Sequence, residues 1–200
     1  VAAERIAVVD YGAGNLRSAA KALEAAGAGD VRIVATAADI AAADRIVLPG
    51  VGAFAQCIGA LKGSGLIDAL DTAVHVQGKP FLGICVGMQL LATTGHEHGE
   101  HAGLEWIPGD VTRLDPGPGH LKIPHMGWND VVDSDGGTGS AYFVHSYRFV
   151  PADPTAVRAT TDYGQTIAAI VQAGNITGVQ FHPEKSQAYG LAFLRNWLTA

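Results

Sequence analysis

Two short segments hold residues whose types and spacing could do chemistry: "GICVG" at 83–87 and "HPE" at 182–184. The first has the form Gly-x-nucleophile-x-Gly, with Cys85 at its centre, an apolar run before it and a helical pattern, Val86 to Thr93, after it. A strand-turn-helix of this kind is so tight that its flanking positions must be small, and it lifts the central side chain above the sheet edge. A thiol placed there stands at a helix N-terminus, where free N–H groups favour thiolate and can hold an oxyanion. The elbow by itself leaves hydrolase, peptidase and transferase open.

A cysteine nucleophile also needs a base for its proton, and the base needs a third group to fix its tautomer and orientation. His182 and Glu184 suit those two roles, joined by Pro183, which stiffens the link and stops the strand from continuing. The order Cys, His, Glu differs from that of α/β-hydrolases, where the acid precedes the histidine. Cys57, in "GAFAQCIGAL", lacks the elbow's punctuation and reads as a small buried hydrophobe.

The surrounding elements must present these two segments at one edge. "RIAVV" (5–9), "VRIV" (31–34), "RIVLP" (45–49) and "PFLGI" (80–84) are near-continuous apolar runs, as strands buried on both faces of a parallel sheet read. Between them "NLRSAAKALEAAG" (15–27) reads as a helix with Asn15 as N-cap, Leu16, Ala19, Ala20 and Leu23 on one face and Gly27 as its stop. "GLIDALDTAV" (65–74) supplies another helix.

After about Gly103 the texture becomes β-rich: "GDVTRL", "AYFVHSYRFV", "VRATTDYG", "TIAAIVQAG" and "ITGVQF", with a hairpin turn expected at Ala173-Gly174-Asn175 and a closing helix over Gln187 to Leu198. The pattern predicts one α/β domain over residues 1–200: three layers, a mostly parallel sheet flanked by helices, and an antiparallel β extension in the C-terminal half. Neither a repeat nor a linker is evident.

Composition narrows the function classes. With 48% hydrophobic residues, 16% charged and 26 glycines, the 200-residue chain reads as a well-ordered globule that buries roughly 70% of its unfolded surface. The net charge is −6 and the lysines and arginines are scattered, so nucleic acid and anionic membranes are not expected partners. No stretch approaches the ~18 apolar residues of a membrane span, and "VAAERIAVVDYG" has no signal-peptide core, so a cytoplasmic protein is expected. Two cysteines make neither a disulfide framework nor a zinc set.

Two decoys fail on their own terms. "GHEHGEH" (95–101) places Glu100 where a His-Glu-x-x-His site needs its second histidine, so no metal is expected. "GAGNLR" (12–17) has Arg17 where a dinucleotide fingerprint needs its third glycine.

At the elbow and the late His-Pro-Glu the sequence resembles the class I (triad-type) glutamine amidotransferases. Within them it is similar to the glutaminase subunits of imidazole glycerol phosphate synthases, through "DYGAGNLRS", "LPGVGAF", "GICVGMQLL", "PHMGWN", "YFVHSY" and "GVQFHPEKS". The resemblance implies that Cys85 attacks the carboxamide of L-glutamine, that His182 protonates departing ammonia and then activates water, and that Glu184 orients His182. It also implies an oxyanion hole from the Val86 amide and the strand Gly50, Val51 and Gly52.

Further implied glutamine contacts are Gln89, one helical turn beyond Cys85, Glu97, and the His145, Ser146, Tyr147 backbone. No cofactor is implied. The implied partner is a (β/α)8 cyclase subunit that receives the ammonia, with Asn15, Trp128, Tyr142 and Lys185 at or near the heterodimer interface. The alternatives are the glutaminase of another class I amidotransferase, a non-catalytic regulatory subunit, and a stand-alone cysteine peptidase or esterase, which the substrate would distinguish. "PGVGAF" in place of a "GGPG"-like segment argues against the first, and the intact triad against the second.

Overall fold

The four apolar runs pair side by side as β1 (Arg5–Val9), β2 (Asp30–Val34), β3 (Arg45–Gly50) and β4 (Phe81–Cys85). They are seen in a computed structural model that describes residues 4–115, 117, 119 and 121–200. The crossovers are α1 (Leu16–Ala25), α2 (Ala37–Ala42), and α3 (Phe54–Ser64) with α4 (Ile67–Asp71), which runs on into a wider π-type turn at Thr72–Val76. The elbow leads from β4 into α5 (Val86–Gln89).

Beyond it come β5 (Thr94–Gly95), β6 (His101–Ala102), β7 (Gly109–Arg113), β8 (His125–Asp133), β9 (Thr138–His145) and β10 (Tyr147–Pro151). The chain finishes with β11 (Val157–Asp162), β12 (Thr166–Ala173), β13 (Ile176–Val179) and α6 (Gln187–Thr199).

Nine strands form one sheet in the order β2-β1-β3-β4-β13-β12-β11-β8-β9, and β10-β7-β5-β6 form a smaller second sheet. From β2 to β13 every pairing is parallel, and from β13 to β9 every pairing is antiparallel. The antiparallel extension thus continues the parallel sheet, and β13 joins the two halves. Helix α1 packs with α6, while α2 and α3 pack with α4, so two helix groups flank the sheet. Phe54, Phe81, Phe143, Phe149 and Phe181 are all fully buried, each contributing roughly 1.5–3 kcal/mol by leaving water.

The structure departs from the sequence expectations in five places. Strand β2 is the sheet edge, and only Val34 in it is buried, so it is not covered on both faces. Asn15 does precede α1, but its side chain caps nothing. The hairpin turn narrows to Gly174-Asn175, since Ala173 already pairs with Ile176. Gly174 takes φ +56°, and the Asn175 side chain donates to the carbonyls of Val74 (2.9 Å) and Lys79 (2.7 Å), fastening the hairpin.

The run "AYFVHSYRFV" breaks at Ser146 and divides between the two sheets. Helix α5 stops at Gln89 rather than reaching Thr93, because the carbonyls of Leu90, Leu91 and Ala92 accept from Leu104, Ile107 and Glu105 instead of from a further helical turn. Among the described residues no helix is long and apolar enough to cross a membrane.

Candidate active site

The sheet register brings the two chemical segments together. Parallel pairing aligns Gly50 with Cys85 across β3 and β4, and Val179 with Ile84 across β13 and β4. Strands β3, β4 and β13 therefore end at one edge, where "PGVG", the elbow and "QFHPE" emerge as neighbours.

Cys85 has φ +55° and ψ −111°, a strained conformation for a residue with a side chain. The glycines around it are fixed by contact. A Cβ on Gly87 would lie 1.9 Å from the Leu48 carbonyl oxygen, and one on Gly83 would lie 2.6 Å from that of Gly87. Gly50 serves the same purpose, since its Cβ would meet the Gly87 amide nitrogen at 2.6 Å. Its φ is not left-handed, so it is kept for close approach and not for backbone freedom. Gly52, at φ +107°, does need that freedom.

The sulfur of Cys85 lies 3.9 Å from the Val144 carbonyl oxygen and 3.8 Å from Gln180 Nε2. The N–H groups of the first turn of α5, Val86 included, have no partner within the helix. Four residues do not sum to a macrodipole, so α5 offers individual N–H groups in place of the helix field expected from the sequence.

His182 follows β13 and starts the 3-10 turn Pro183–Lys185. Its Nδ1 and Glu184 Oε1 are 2.8 Å apart, with both side chains buried. On the other side of the ring, Nε2 is buried without a hydrogen-bond partner. Burial pulls the His182 pKa down, but the contacts with Cys85 and Glu184 outweigh it and hold the pKa up at about 9. An imidazolium at neutral pH is the counter-ion that a thiolate nucleophile requires.

Ser186, which the motif reading did not single out, stitches this turn in place. Its hydroxyl donates to the His182 carbonyl at 2.7 Å and accepts from the Tyr142 N–H at 2.9 Å. Helix α6 packs so closely beneath that a Cβ on Gly190 would lie 2.1 Å from the Pro183 oxygen.

A cavity of about 310 Å³ opens over the sulfur. Of the residues singled out in the sequence, Val51, Gly52, Cys85, Val86, Gln89, Glu97, His145, Ser146, Tyr147, His182 and Lys185 line it, as do Pro124 and Val144, which were not. Gly50 and Glu184 are not among the lining residues.

Gln89 spends both hydrogens of Nε2, on the Tyr147 carbonyl and on Gln180 Oε1 (3.0 Å each), leaving its oxygen to serve a ligand. Glu97 Oε2 accepts from the Phe54 N–H at 2.7 Å, capping α3, whose own N-cap is an alanine. Its second oxygen is left for the cavity.

The Ser146 carbonyl is taken by the Leu114 N–H, and that of Tyr147 by His145 Nδ1 at 2.8 Å. His145 and His125, 3.0 Å apart, are both held near pKa 4, chiefly by burial, and so stay neutral.

Trp128 and Tyr142 pair across β8 and β9 edge to face at 6.2 Å, and Lys185 Nζ sits 5.6 Å from the Tyr142 ring centre. These three form one patch beside the cavity, whose Trp128 is half exposed, while Asn15 sits at the head of α1. Gln180 and Ser186 are the polar groups at the site that the sequence reading missed. The available signal was one polar residue inside the apolar run "GVQF" and a serine closing a turn.

The family model for glutamine amidotransferase class-I matches residues 7–200. The chain is 53% identical over 205 aligned positions to the imidazole glycerol phosphate synthase subunit HisH of Zymomonas mobilis, covering 98% of this chain and 96% of that one. It is 50% identical to the subunit of the same name from Ruegeria pomeroyi, covering 96% and 97%. Among solved structures, one titled as a glutamine amidotransferase superposes with a TM-score of 0.77 at 19% identity, covering 98% of this chain and 99% of that chain. PurLQS from Thermotoga maritima gives 0.72 at 20%, covering 98% and 100%.

Proposed function

The chain belongs to the class I glutamine amidotransferase family, and on that premise we propose that it is the glutaminase subunit of an imidazole glycerol phosphate synthase, acting in histidine biosynthesis. Cys85 attacks the side-chain carbonyl carbon of glutamine, forming a C–S bond. The oxygen that gains charge is received by the Val86 N–H and by an amide of the Gly50–Gly52 segment. Collapse of that intermediate expels ammonia, which takes its proton from His182, and leaves a γ-glutamyl thioester. Water then loses a proton to His182 and releases glutamate, while Glu184 holds the ring throughout. Gln89, Glu97 and the segment His145–Tyr147 hold the glutamine.

Ammonia is useful to a synthase only before it becomes ammonium in bulk water. In this reading a (β/α)8 cyclase subunit therefore docks beside the cavity, over Trp128, Tyr142, Lys185 and Asn15, and takes the ammonia directly. The whole of residues 1–200 serves as one amidotransferase domain in the cytoplasm.

The observation that carries the chemistry is the His182–Glu184 pair set beside a strained Cys85 at the floor of the cavity. The test is glutamate release by the purified chain with a cyclase subunit and its nucleotide ligand. Turnover that depends on Cys85 is expected. A complex that releases no glutamate under these conditions would overturn the proposal.

A further inference from the structure

Gln180 is a fully buried polar residue at the site, to which neither the triad nor glutamine binding gives a task. It follows Val179, the register partner of Ile84, and so comes to lie beside Cys85. Its side-chain orientation is dictated by its neighbours. The Tyr147 carbonyl can only accept, so Gln89 must turn its amide nitrogen toward it, and the same nitrogen reaches Gln180.

Gln180 must therefore give its oxygen to Gln89 and its nitrogen to the sulfur at 3.8 Å. The reverse orientation would set donor against donor at one end and an oxygen lone pair against sulfur at the other. The Tyr147 carbonyl that anchors this order is itself held by His145 Nδ1. His145 Nε2 then accepts from His125 Nδ1 (3.0 Å), and His125 Nε2 accepts from Asn129 Nδ2 (3.2 Å).

We propose that Gln180 is a further working residue of the reaction: its N–H donates to the Cys85 sulfur, holds the thiol in its attacking direction and stabilises the thiolate. The contact acts twice in the cycle. It favours the charged sulfur before attack, and it receives the sulfur again when water breaks the thioester and the C–S electron pair returns to it. No proton is transferred to or from Gln180. The second use rests on the thioester reading above.

The test compares Gln180→Met, which keeps volume and removes the N–H, with Gln180→Glu, which keeps shape and sets a carboxylate against sulfur. Four quantities are read: the rate of Cys85 alkylation by iodoacetamide, with the adduct mapped to its peptide, kcat and KM for glutamine in the complex with the cyclase subunit, and the thermal midpoint. For Gln180→Met, alkylation and kcat should each fall roughly ten-fold with KM changed less than about two-fold. For Gln180→Glu the deficit should be larger at neutral pH and should narrow toward acid pH, where a protonated carboxyl can donate as the amide did.

Alkylation of a folded Gln180→Met protein at the unmodified rate would overturn the inference. If that variant does not fold, a pH-independent deficit in Gln180→Glu would overturn it instead. Alkylation needs no glutamine, so a complex without glutaminase activity would count against the proposed function and leave this inference standing on its own measurement.

Discussion

At the junction of β3 with α3, Cys57 lies in the first turn of an eleven-residue helix, 1% exposed, its Sγ donating to the Val51 carbonyl at 3.4 Å. At the adjacent junction of β4 with α5, Cys85 is 4% exposed and its sulfur also approaches a carbonyl. Burial does not distinguish the two thiols. What does is the backbone beneath each and the polar groups above it.

Cys57 has ordinary helical surroundings, and burial raises its pKa, with the neighbouring Tyr11 opposing only part of the rise. Cys85 stands on a left-handed residue wedged by glycines, with the Gln180 N–H on one side and a charged-state His182 on another. On the proposed function, a reactive cysteine here is made by strain and by donors placed around the sulfur, and its depth in the fold matters little.

The sharpest way to break this comparison is to remove each thiol in turn. Cys85→Ala should lower glutaminase activity at least ~10³-fold while, on the proposed function, a cyclase subunit still uses added ammonium salts. Cys57→Ala should leave kcat within about three-fold and cost about 1 kcal/mol as a small cavity, read by denaturant unfolding.

Next in size is Glu184→Gln, which removes the charge that orients His182 and favours its protonated form. Its kcat should fall by roughly 10²–10⁴-fold in steady-state assays. The same variant tests linkage. A histidine whose folded pKa is raised stabilises fully below about pH 6.5 and loses that contribution as pH rises through about 9. The thermal midpoint of the unmodified protein should therefore decline toward that of Glu184→Gln across this window.

The helix that holds Cys57 and the helix that follows Cys85 should also answer differently to one added methyl. Gly87→Ala drives a Cβ into the Leu48 carbonyl and should destabilise by about 3 kcal/mol or more. Gly59→Ala, on an open face of α3, should stabilise by roughly 0.5–1 kcal/mol. Calorimetry of both variants checks the pair.

The last test concerns the neutral histidine pair that supports the Cys85 side alone. His125 and His145 have folded pKa values depressed to about 4, so the unfolded chain binds more protons between pH 6.5 and 4. Their contribution is present above pH 6.5 and is lost as pH falls through 4, a decline of several degrees in thermal midpoint.

Much of the site was legible because chemistry constrained its residue types. The elbow glycines and the His-Pro-Glu turn carry their reasons in the sequence, and so do β1, β3 and β4, whose apolar runs are buried on both faces. What stayed hidden depended on partners far along the chain. Helix α3 has no capping side chain of its own and borrows Glu97 from a loop 43 positions away. Strand β8 alternates with exposed Met126 and Trp128, so its apolar side faces outward and gives no clean burial signal. Gln180 looks like an interruption of an apolar strand until Gln89 and Cys85 are placed beside it.

The central claim, that Cys85 and not Cys57 carries the substrate, is tested most directly by trapping the covalent intermediate. The protein, together with the cyclase subunit of the proposed function, is mixed with glutamine, quenched in acid within a turnover, and its peptides are mapped by mass spectrometry. The account predicts a glutamyl adduct on the Cys85 peptide, lost in Cys85→Ala and kept in Cys57→Ala. Glutamate accumulating with the adduct on Cys57, or with no adduct on either cysteine at any quench time, would contradict it.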